Sequence, residues 1–206
     1  MLIKVCGIAD QETAKQLLSL RVDMMGLVFV KASPRCISIE KALNIKKLVG
    51  ESIKIVAIFQ NQPLSEVKQI VDTLRPDYVQ LHGQEDPGFC IEMQVPVIKA
   101  IRLKENALKT KQLLDEYKSV CRYFLIDRKV QGDGPLVNLA QFSELSAYYP
   151  LFLSGGLSPD NISQVLDSVD DSLVGVDVSS GVEDLPGRKN SKKLSNFVEK
   201  VRSHYA

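Results

Sequence analysis

Eight short, almost uninterrupted apolar runs recur along the chain: Leu2–Cys6, Met24–Val30, Ile53–Phe59, Tyr78–Leu81, Val97–Ile101, Tyr123–Ile126, Leu151–Leu153 and Val174–Val178. Runs that are apolar at successive rather than alternate positions are the mark of parallel strands covered on both faces. The segments between them carry apolar residues three and four apart. Ala14, Leu17 and Leu18 make one such set, and Val67, Ile70, Val71 and Leu74 another. Ile162, Val165, Leu166 and Val169 make a third, and Leu194, Phe197, Val198 and Val201 close the chain. That spacing builds one apolar face of a helix. Pro63 ahead of Ser65-Glu66, and the run Ser158-Pro159-Asp160, read as helix starts. Strand and helix thus alternate at roughly 25 residues per unit, the period of a (β/α)8 barrel. An open doubly wound sheet is the competing arrangement. Against it, Cys6-Gly7-Ile8 stands where a dinucleotide-binding G-x-G-x-x-G would follow the first strand.

The chain has 206 residues, 45% hydrophobic and 25% charged, enough apolar material for a sizeable core. No Pro/Ser-rich linker, charge block or step in composition interrupts it. Residues 1–206 are therefore expected to form one α/β domain, a single-domain (β/α)8 TIM barrel at the short end of that fold's range. A formal net charge of +1 supplies no global field for nucleic acid or an anionic membrane, so a charged ligand must be held by local groups. No apolar run is long enough to span a membrane. The first residues enter a strand without the basic and apolar regions of a signal peptide, and a cytoplasmic location is the expectation. The four cysteines, Cys6, Cys36, Cys90 and Cys121, lie far apart and read as reduced thiols. With His82 and His204 the only two histidines, no His-rich metal site is expected.

In a closed barrel the chemistry sits where strands end and βα loops begin. The first strand ends at Cys6-Gly7, where a free cysteine is either a small core residue or a thiolate acting as base or nucleophile. Ser33-Pro34-Arg35 follows the second, and its arginine is either solvated or a bidentate clamp for a carboxylate. Gln80-Leu81-His82-Gly83 closes the fourth strand and Ile126-Asp127 the sixth. His82 reads as a structural hydrogen-bonding group or a catalyst, and Asp127 as a loop cap or a tuned general acid. The strongest signal is the last pair of loops, Ser154-Gly155-Gly156-Leu157 and Asp177-Val178-Ser179-Ser180-Gly181. Glycines let backbone N–H groups approach an anion closely, and barrels frequently hold phosphate between the loops after strands seven and eight. Phosphate on one side of the mouth and Arg35 on the other suggest a small phosphorylated molecule with a second anionic group. Proton transfer is the chemistry most available to Cys6 and Asp127.

At this point the residues resemble a known family. Lys4-Val-Cys-Gly-Ile8, Ser33-Pro-Arg35 with Ile37, Phe59-Gln-Asn61, Val79-Gln-Leu-His-Gly83, Ile98-Lys-Ala100, Leu125-Ile-Asp127, Ser154-Gly-Gly-Leu157 and Gly175-Val-Asp-Val-Ser-Ser-Gly-Val-Glu183 are similar, in order along nearly the whole chain, to phosphoribosylanthranilate isomerase. The resemblance implies a (β/α)8 barrel that converts N-(5-phosphoribosyl)anthranilate to 1-(2-carboxyphenylamino)-1-deoxyribulose 5-phosphate in tryptophan synthesis. It places a general acid at Asp127, to protonate the furanose ring oxygen, and a general base at Cys6, to remove the C2 proton. It implies no cofactor and no metal, because the protonated imine is itself the electron sink. Arg35 is then expected to hold the anthranilate carboxylate, and backbone groups of Gly155, Gly156, Ser179 and Ser180 the phosphate. His82 and Asp177 stand at matching substrate-site positions, either in contact with substrate or orienting neighbours. For these roles the Cys6 pKa is expected to fall below its ordinary value and that of Asp127 to rise. The expected partner is the small phosphorylated substrate, in a monomer or a homodimer.

The chain departs from the family pattern after the sixth strand. The common Gly-Gly-Thr/Ser-Gly and Phe-Asp-Trp are replaced by Gln131-Gly-Asp-Gly134 and Val137-Asn-Leu139, which put the charge of Asp133 where a small hydroxyl is usual. These changes bear on loop closure and affinity rather than on reaction type. Lys189-Asn190 replaces the usual Lys-Asp, which removes a charge from the last helix start and keeps a capping side chain. Two other readings compete. The related isomerase of histidine synthesis pairs two aspartates where this chain has Cys6, and a pentose-phosphate epimerase needs metal ligands that two histidines hardly provide. A barrel that binds without turnover is the remaining alternative, and the retention of both Cys6 and Asp127 speaks against it.

Overall fold

Every apolar run forms a strand. The computed structural model describes residues 1–103, 107–127, 139–169 and 172–205. Its strands are β1 (Leu2–Cys6), β2 (Met24–Val28), β3 (Lys54–Phe59), β4 (Tyr78–Leu81), β5 (Val97–Arg102), β6 (Tyr123–Asp127), β7 (Leu151–Ser154) and β8 (Gly175–Val178). Each pairs in parallel with the next and β8 pairs with β1, so the sheet closes. The helices are α1 (Gln11–Ser19), α2 (Ile39–Val49), α3 (Leu64–Leu74), α4 (Pro87–Ile91), α5 (Ala107–Tyr117), α6 (Leu139–Ser146), α7 (Ile162–Asp167) and α8 (Ser191–His204). Between β8 and α8 stand a single 3₁₀ turn, Ser180–Val182, and a small hairpin of β9 (Glu183–Leu185) and β10 (Arg188–Lys189). Among the described residues no helix is long and apolar enough to cross a membrane.

Alternation along each strand sorts its side chains into two cores. Ile3 and Val5 of β1, Met25 and Leu27 of β2 and Val97 and Ile101 of β5 face outward, into a layer shared with the helices. Leu194, Phe197, Val198 and Val201 of α8 enter the same layer, as their spacing predicts. Met24, Val28, Val56, Ile58, Ile98, Leu125 and Phe152 form a separate cluster that fills the barrel interior. Its floor is aromatic: Tyr123 stands edge-on to Phe152 with ring centroids 5.5 Å apart, and Tyr78 tilts against Tyr123 at 5.8 Å. Toward the strand C-termini the interior positions turn polar, with Lys4, Cys6, Gln80, Asp127, Ser154 and Asp177. At the opposite end, Asp23 and Asp77 precede β2 and β4 and accept the N–H groups of Ile3 and Ile55 at 2.8 and 2.9 Å.

Two helix starts differ from the sequence expectation. Helix α3 begins at Leu64, directly after Pro63, and no side chain caps it, so Ser65 lies inside the helix. Helix α7 begins at Ile162 rather than after Ser158. Ser158 instead belongs to a turn in which Asn161 Oδ1 accepts its N–H at 2.9 Å, so the serine-proline pair marks a turn and not a helical first residue. The final helix starts as expected, with Asn190 Oδ1 accepting the Lys193 N–H at 2.8 Å. The altered residues Gln131–Gly134 and Val137-Asn138 lie outside the described residues.

The closing seam leaves no room at Gly175. A Cβ there would stand 2.3 Å from the Leu2 carbonyl oxygen and 2.7 Å from the Phe152 ring. Gly175→Ala is expected to lower unfolding free energy by about 1–3 kcal/mol, because the first obstacle is backbone of the partner strand. Urea titration of the two proteins measures this, and an unchanged midpoint would mean that the seam yields freely.

Candidate active site

The site is built from the polar interior positions at the strand C-termini. Lys4 has no exposed surface, and its ammonium pairs with Asp177 at 2.9 Å across the β1–β8 seam. Burial pulls the Lys4 pKa down, but Asp177 and Cys6 outweigh it and hold the group above its ordinary value. The same burial pushes the Asp177 carboxyl up against the pull of Lys4. One step along β1, Cys6 is half-buried at the mouth. Gly26, its register partner on β2, makes room for it: a Cβ on Gly26 would lie 3.2 Å from Cys6 Sγ. Burial pushes the Cys6 thiol up, and Lys4, Lys189 and Arg35 offset this only in part. The expected fall of the Cys6 pKa is therefore corrected: without ligand, burial and the Asp177 carboxylate favour the uncharged S–H.

Across the mouth, His82 Nε2 and Asp127 Oδ2 are 2.9 Å apart, both side chains about a third exposed. Gln80, two residues before His82 and facing the same way, places its amide nitrogen 3.0 Å from His82 Nδ1. His82 and Asp127 share a cleft of about 400 Å³ with Asn61, Gly83, Ala100 and Arg102. Beneath its rim lies a second buried pair. Lys99 Nζ donates to Glu85 Oε2 at 2.9 Å and to the Gly83 carbonyl at 2.7 Å. Glu85 in turn accepts the N–H groups of Asn61 (2.7 Å) and Gly83 (2.9 Å). The loops after β3 and β4 are thus locked together beside His82. Burial pushes Glu85 up, but the Asn61 N–H and Lys99 outweigh it and hold the carboxyl below the usual glutamate range.

The two glycine loops meet on the far side. Gly155 and Gly156 have φ of +85° and +73°, the left-handed region that side chains disfavour. Asn161 fixes their loop by donating to the Gly156 carbonyl at 2.7 Å. Gly181 packs flat on that loop, since a Cβ there would come within 1.8 Å of the Leu157 carbonyl oxygen. Ser179 Oγ donates to the Cys6 carbonyl at 3.2 Å, tying the β8 loop to the end of β1. Arg35 lays its stem on Gly7 and gives two donors to Glu183, Nε–Oε1 at 2.9 Å and Nη2–Oε2 at 2.7 Å. Among the described residues no group of three or more His, Cys, Asp or Glu is placed to hold a metal ion.

The structure thus brings Cys6, Arg35, Asp177, Gly155, Gly156, Ser179 and Ser180 to one half of the mouth and His82 and Asp127 to the other. Lys4 lies within electrostatic reach of both halves, since Cys6 and Asp127 each favour its charge. Sequence reading met Lys4, Gln80, Lys99, Glu183 and Lys189 only as members of motifs and gave them no role, and it did not reach Asn161 or Glu85. A lysine inside an apolar strand was the available signal for Lys4 and Lys99.

Comparison with known proteins decides the family. A family model described as N-(5'-phosphoribosyl)anthranilate isomerase matches residues 3–200. The chain belongs to the N-(5'-phosphoribosyl)anthranilate isomerase family. It is 33% identical over 204 residues to the isomerase of Xylella fastidiosa (strain M12), covering 97% of this chain and 91% of that one. With the Streptococcus mutans isomerase it shares 32% over 200 residues, covering 97% and 98%. Among solved structures, the Thermotoga maritima enzyme superposes with a TM-score of 0.89 at 29% identity, covering 98% of this chain and 99% of that one. The Thermus thermophilus enzyme gives 0.86 at 30%, with the same coverage. A phosphoribosylanthranilate isomerase solved in complex with reduced 1-(o-carboxyphenylamino)-1-deoxyribulose 5-phosphate gives 0.86 at 28%. A 3-hexulose-6-phosphate synthase at 13% identity shares the fold alone.

Two measurements check the electrostatics of the site. Alkylation of Cys6 by iodoacetamide, followed on its own peptide by mass spectrometry, is expected to rise only above the ordinary cysteine range, since burial favours the protonated thiol. A midpoint below that range would contradict the assignment. Glu85→Gln is expected to cost about 3–5 kcal/mol at neutral pH by stranding the Lys99 ammonium. The Glu85 carboxyl is held low, so the stability it contributes is present above the usual glutamate value and fades as pH falls through the lower folded value. Urea titrations of both proteins at neutral and acid pH should therefore converge, and a difference independent of pH would rule the pair out as its source.

Proposed function

We propose that the barrel mouth carries out the family's isomerisation, the conversion of N-(5'-phosphoribosyl)anthranilate to its deoxyribulose phosphate in tryptophan biosynthesis, by proton transfer between Asp127 and Cys6. The observation that carries this reading is the placement of a carboxyl and a thiol at interior strand ends, both within the field of the buried Lys4 ammonium. Asp127 gives a proton to the furanose ring oxygen as the C1–O bond breaks. The nitrogen lone pair moves in to form the protonated imine. The Cys6 thiol, now beside this cation, gives its proton through solvent to the ionised Asp127; the thiolate takes the C2 proton, and the C–H electrons form the C1=C2 bond of the enolamine while the nitrogen becomes neutral. The enolamine exchanges its hydroxyl proton for one at C1 to give the ketone. The cycle ends with Cys6 and Asp127 both protonated, as it began.

The raised Cys6 pKa fits this sequence. A thiolate that is costly in the empty site is stabilised once a cationic imine stands beside it, and becomes a stronger base for being poorly solvated. His82 and Gln80 orient the acid. Arg35 holds the anthranilate carboxylate, and the N–H groups of Gly155, Gly156, Ser179 and Ser180 receive the phosphate, with the chain as monomer or homodimer in the cytoplasm. The chemistry needs no cofactor, since the imine nitrogen accepts the electrons.

The test is a fluorescence assay with phosphoribosylanthranilate made in situ. Cys6→Ser and Asp127→Val are each expected to lower kcat by about a hundred- to ten-thousand-fold while the proteins stay folded. Turnover within a few-fold of wild type in either variant would remove that residue from the acid–base pair. Absent turnover in folded wild type would return the barrel to a binding role.

A further inference from the structure

Arg35 is held before any ligand arrives. Its stem is pinned against Gly7, where a Cβ would come within 2.5 Å of Arg35 Cδ. Its fork is engaged on one edge, Nε and Nη2, by Glu183. A guanidinium has five N–H donors and two edges able to grip a carboxylate. Glu183 takes one edge and leaves the Nη1–Nη2 edge. Glu183 is itself fixed: Lys189 donates to its Oε1 at 2.7 Å, and Lys193 donates to its backbone carbonyl at 2.8 Å. The side chains of Glu183 and Lys189 are 4% and 2% exposed, against 22% for Arg35, so only the arginine reaches toward solvent. The hairpin that carries Glu183 and Lys189 rests on the Arg35 loop through Gly187, where a Cβ would stand 2.8 Å from the Pro34 carbonyl oxygen.

We infer that Glu183, seated by Lys189, is a positioning residue that aims the outer edge of Arg35 at the carboxylate of the aromatic amine, and so sets the preference for substrates that carry this group. The inference rests on the reading of Arg35 as the carboxylate clamp. Two requirements meet in the trio. A free arginine on a loop must lose side-chain freedom to bind, and Glu183 removes that freedom in advance. A glutamate alone would cancel the charge it positions. Lys189 restores it, so the three ionised groups together keep one positive charge, which a ligand carboxylate neutralises.

Charge and orientation predict opposite outcomes for Glu183→Gln, which makes the inference testable. Removing the negative charge beside Arg35 would by itself tighten an anion. Losing the grip on the fork weakens it. The probes are two reduced product analogues, 1-arylamino-1-deoxypentitol 5-phosphates that differ only in the presence or absence of the ortho-carboxylate, with affinities from calorimetry. Glu183→Gln is expected to weaken the carboxylate-bearing analogue by about tenfold, the order of one well-placed charged contact. Binding of the other analogue should change less than twofold, and KM should rise with kcat largely kept. Arg35→Ala should lose the same carboxylate-dependent increment, and the double variant should lose no more than Arg35→Ala alone. If Arg35→Ala loses the increment and Glu183→Gln binds the carboxylate analogue as well as wild type or better, the positioning role is overturned. If Arg35→Ala keeps the increment, the clamp reading itself fails. Equal weakening of both analogues by Glu183→Gln would also overturn the inference, since it would report general damage to the mouth.

Discussion

A lysine with no exposed surface inside a barrel of parallel strands must find its counter-charge there, because an unpaired ammonium in an apolar interior costs several kcal/mol. Lys4 meets that requirement with Asp177, its direct register partner across the seam where the last strand closes on the first. The pair therefore joins two tasks. It lies in the ladder that closes the barrel, and it fixes a positive charge under the mouth, between the thiol on β1 and the carboxyl on β6. The charge cannot be screened by solvent from below, since the floor is Tyr78, Tyr123 and Phe152 packed ring against ring.

The same division of labour runs through the rest of the mouth. Each group that reaches toward solvent is backed by one that does not: His82 by Gln80, the β4 loop by Glu85 and Lys99, Arg35 by Glu183 and Lys189. The backing groups cost desolvation, and their pairing offsets that cost without adding stability of the kind an apolar core would give. What they supply is orientation. The proposed transfer of protons between a carboxyl, a substrate and a thiol depends on the relative placement of these groups to within fractions of an ångström.

Much of this was legible in the sequence and some was not, for identifiable reasons. The strands were readable because both faces of a closed parallel sheet are buried, so Met24–Val28 or Lys54–Phe59 carries its signal at nearly every position. The strand ends were readable because the fold puts function there, which singled out Cys6, His82, Asp127 and the glycine loops before any geometry. Helix starts were less so. Ser65 and Ser158 are the residue type that caps helices, yet Pro63 and a turn closed by Asn161 occupy those roles, and propensity alone does not distinguish a cap from a turn. The backing residues were hidden for a different reason. Glu183 and Lys189 act on Arg35 across a sequence separation of about 150 residues, and only the fold reports that the hairpin carrying them lies over the β2 loop.

The thiol shows where a residue type predicts the wrong electrostatics. A catalytic base suggests a thiolate prepared in advance, and three cations near Cys6 point the same way. Two of them are already committed: Lys4 to Asp177 and Lys189 to Glu183. A paired cation presents mostly a dipole to a third group, and its influence falls faster with distance than that of a free charge. Arg35 is shared between Glu183 and the mouth in the same way. Burial, with the Asp177 carboxylate beside it, then dominates and the thiol keeps its proton in the empty site. This order has a chemical consequence. A thiolate standing ready at the half-open mouth would be the most oxidisable and alkylatable group there, whereas one whose formation follows the cationic imine exists only when a proton is there to be taken. In the proposed reaction, the pairing of Lys4 and Lys189 thereby keeps the thiol protonated between turnovers and leaves the substrate's own charge to call the base into play.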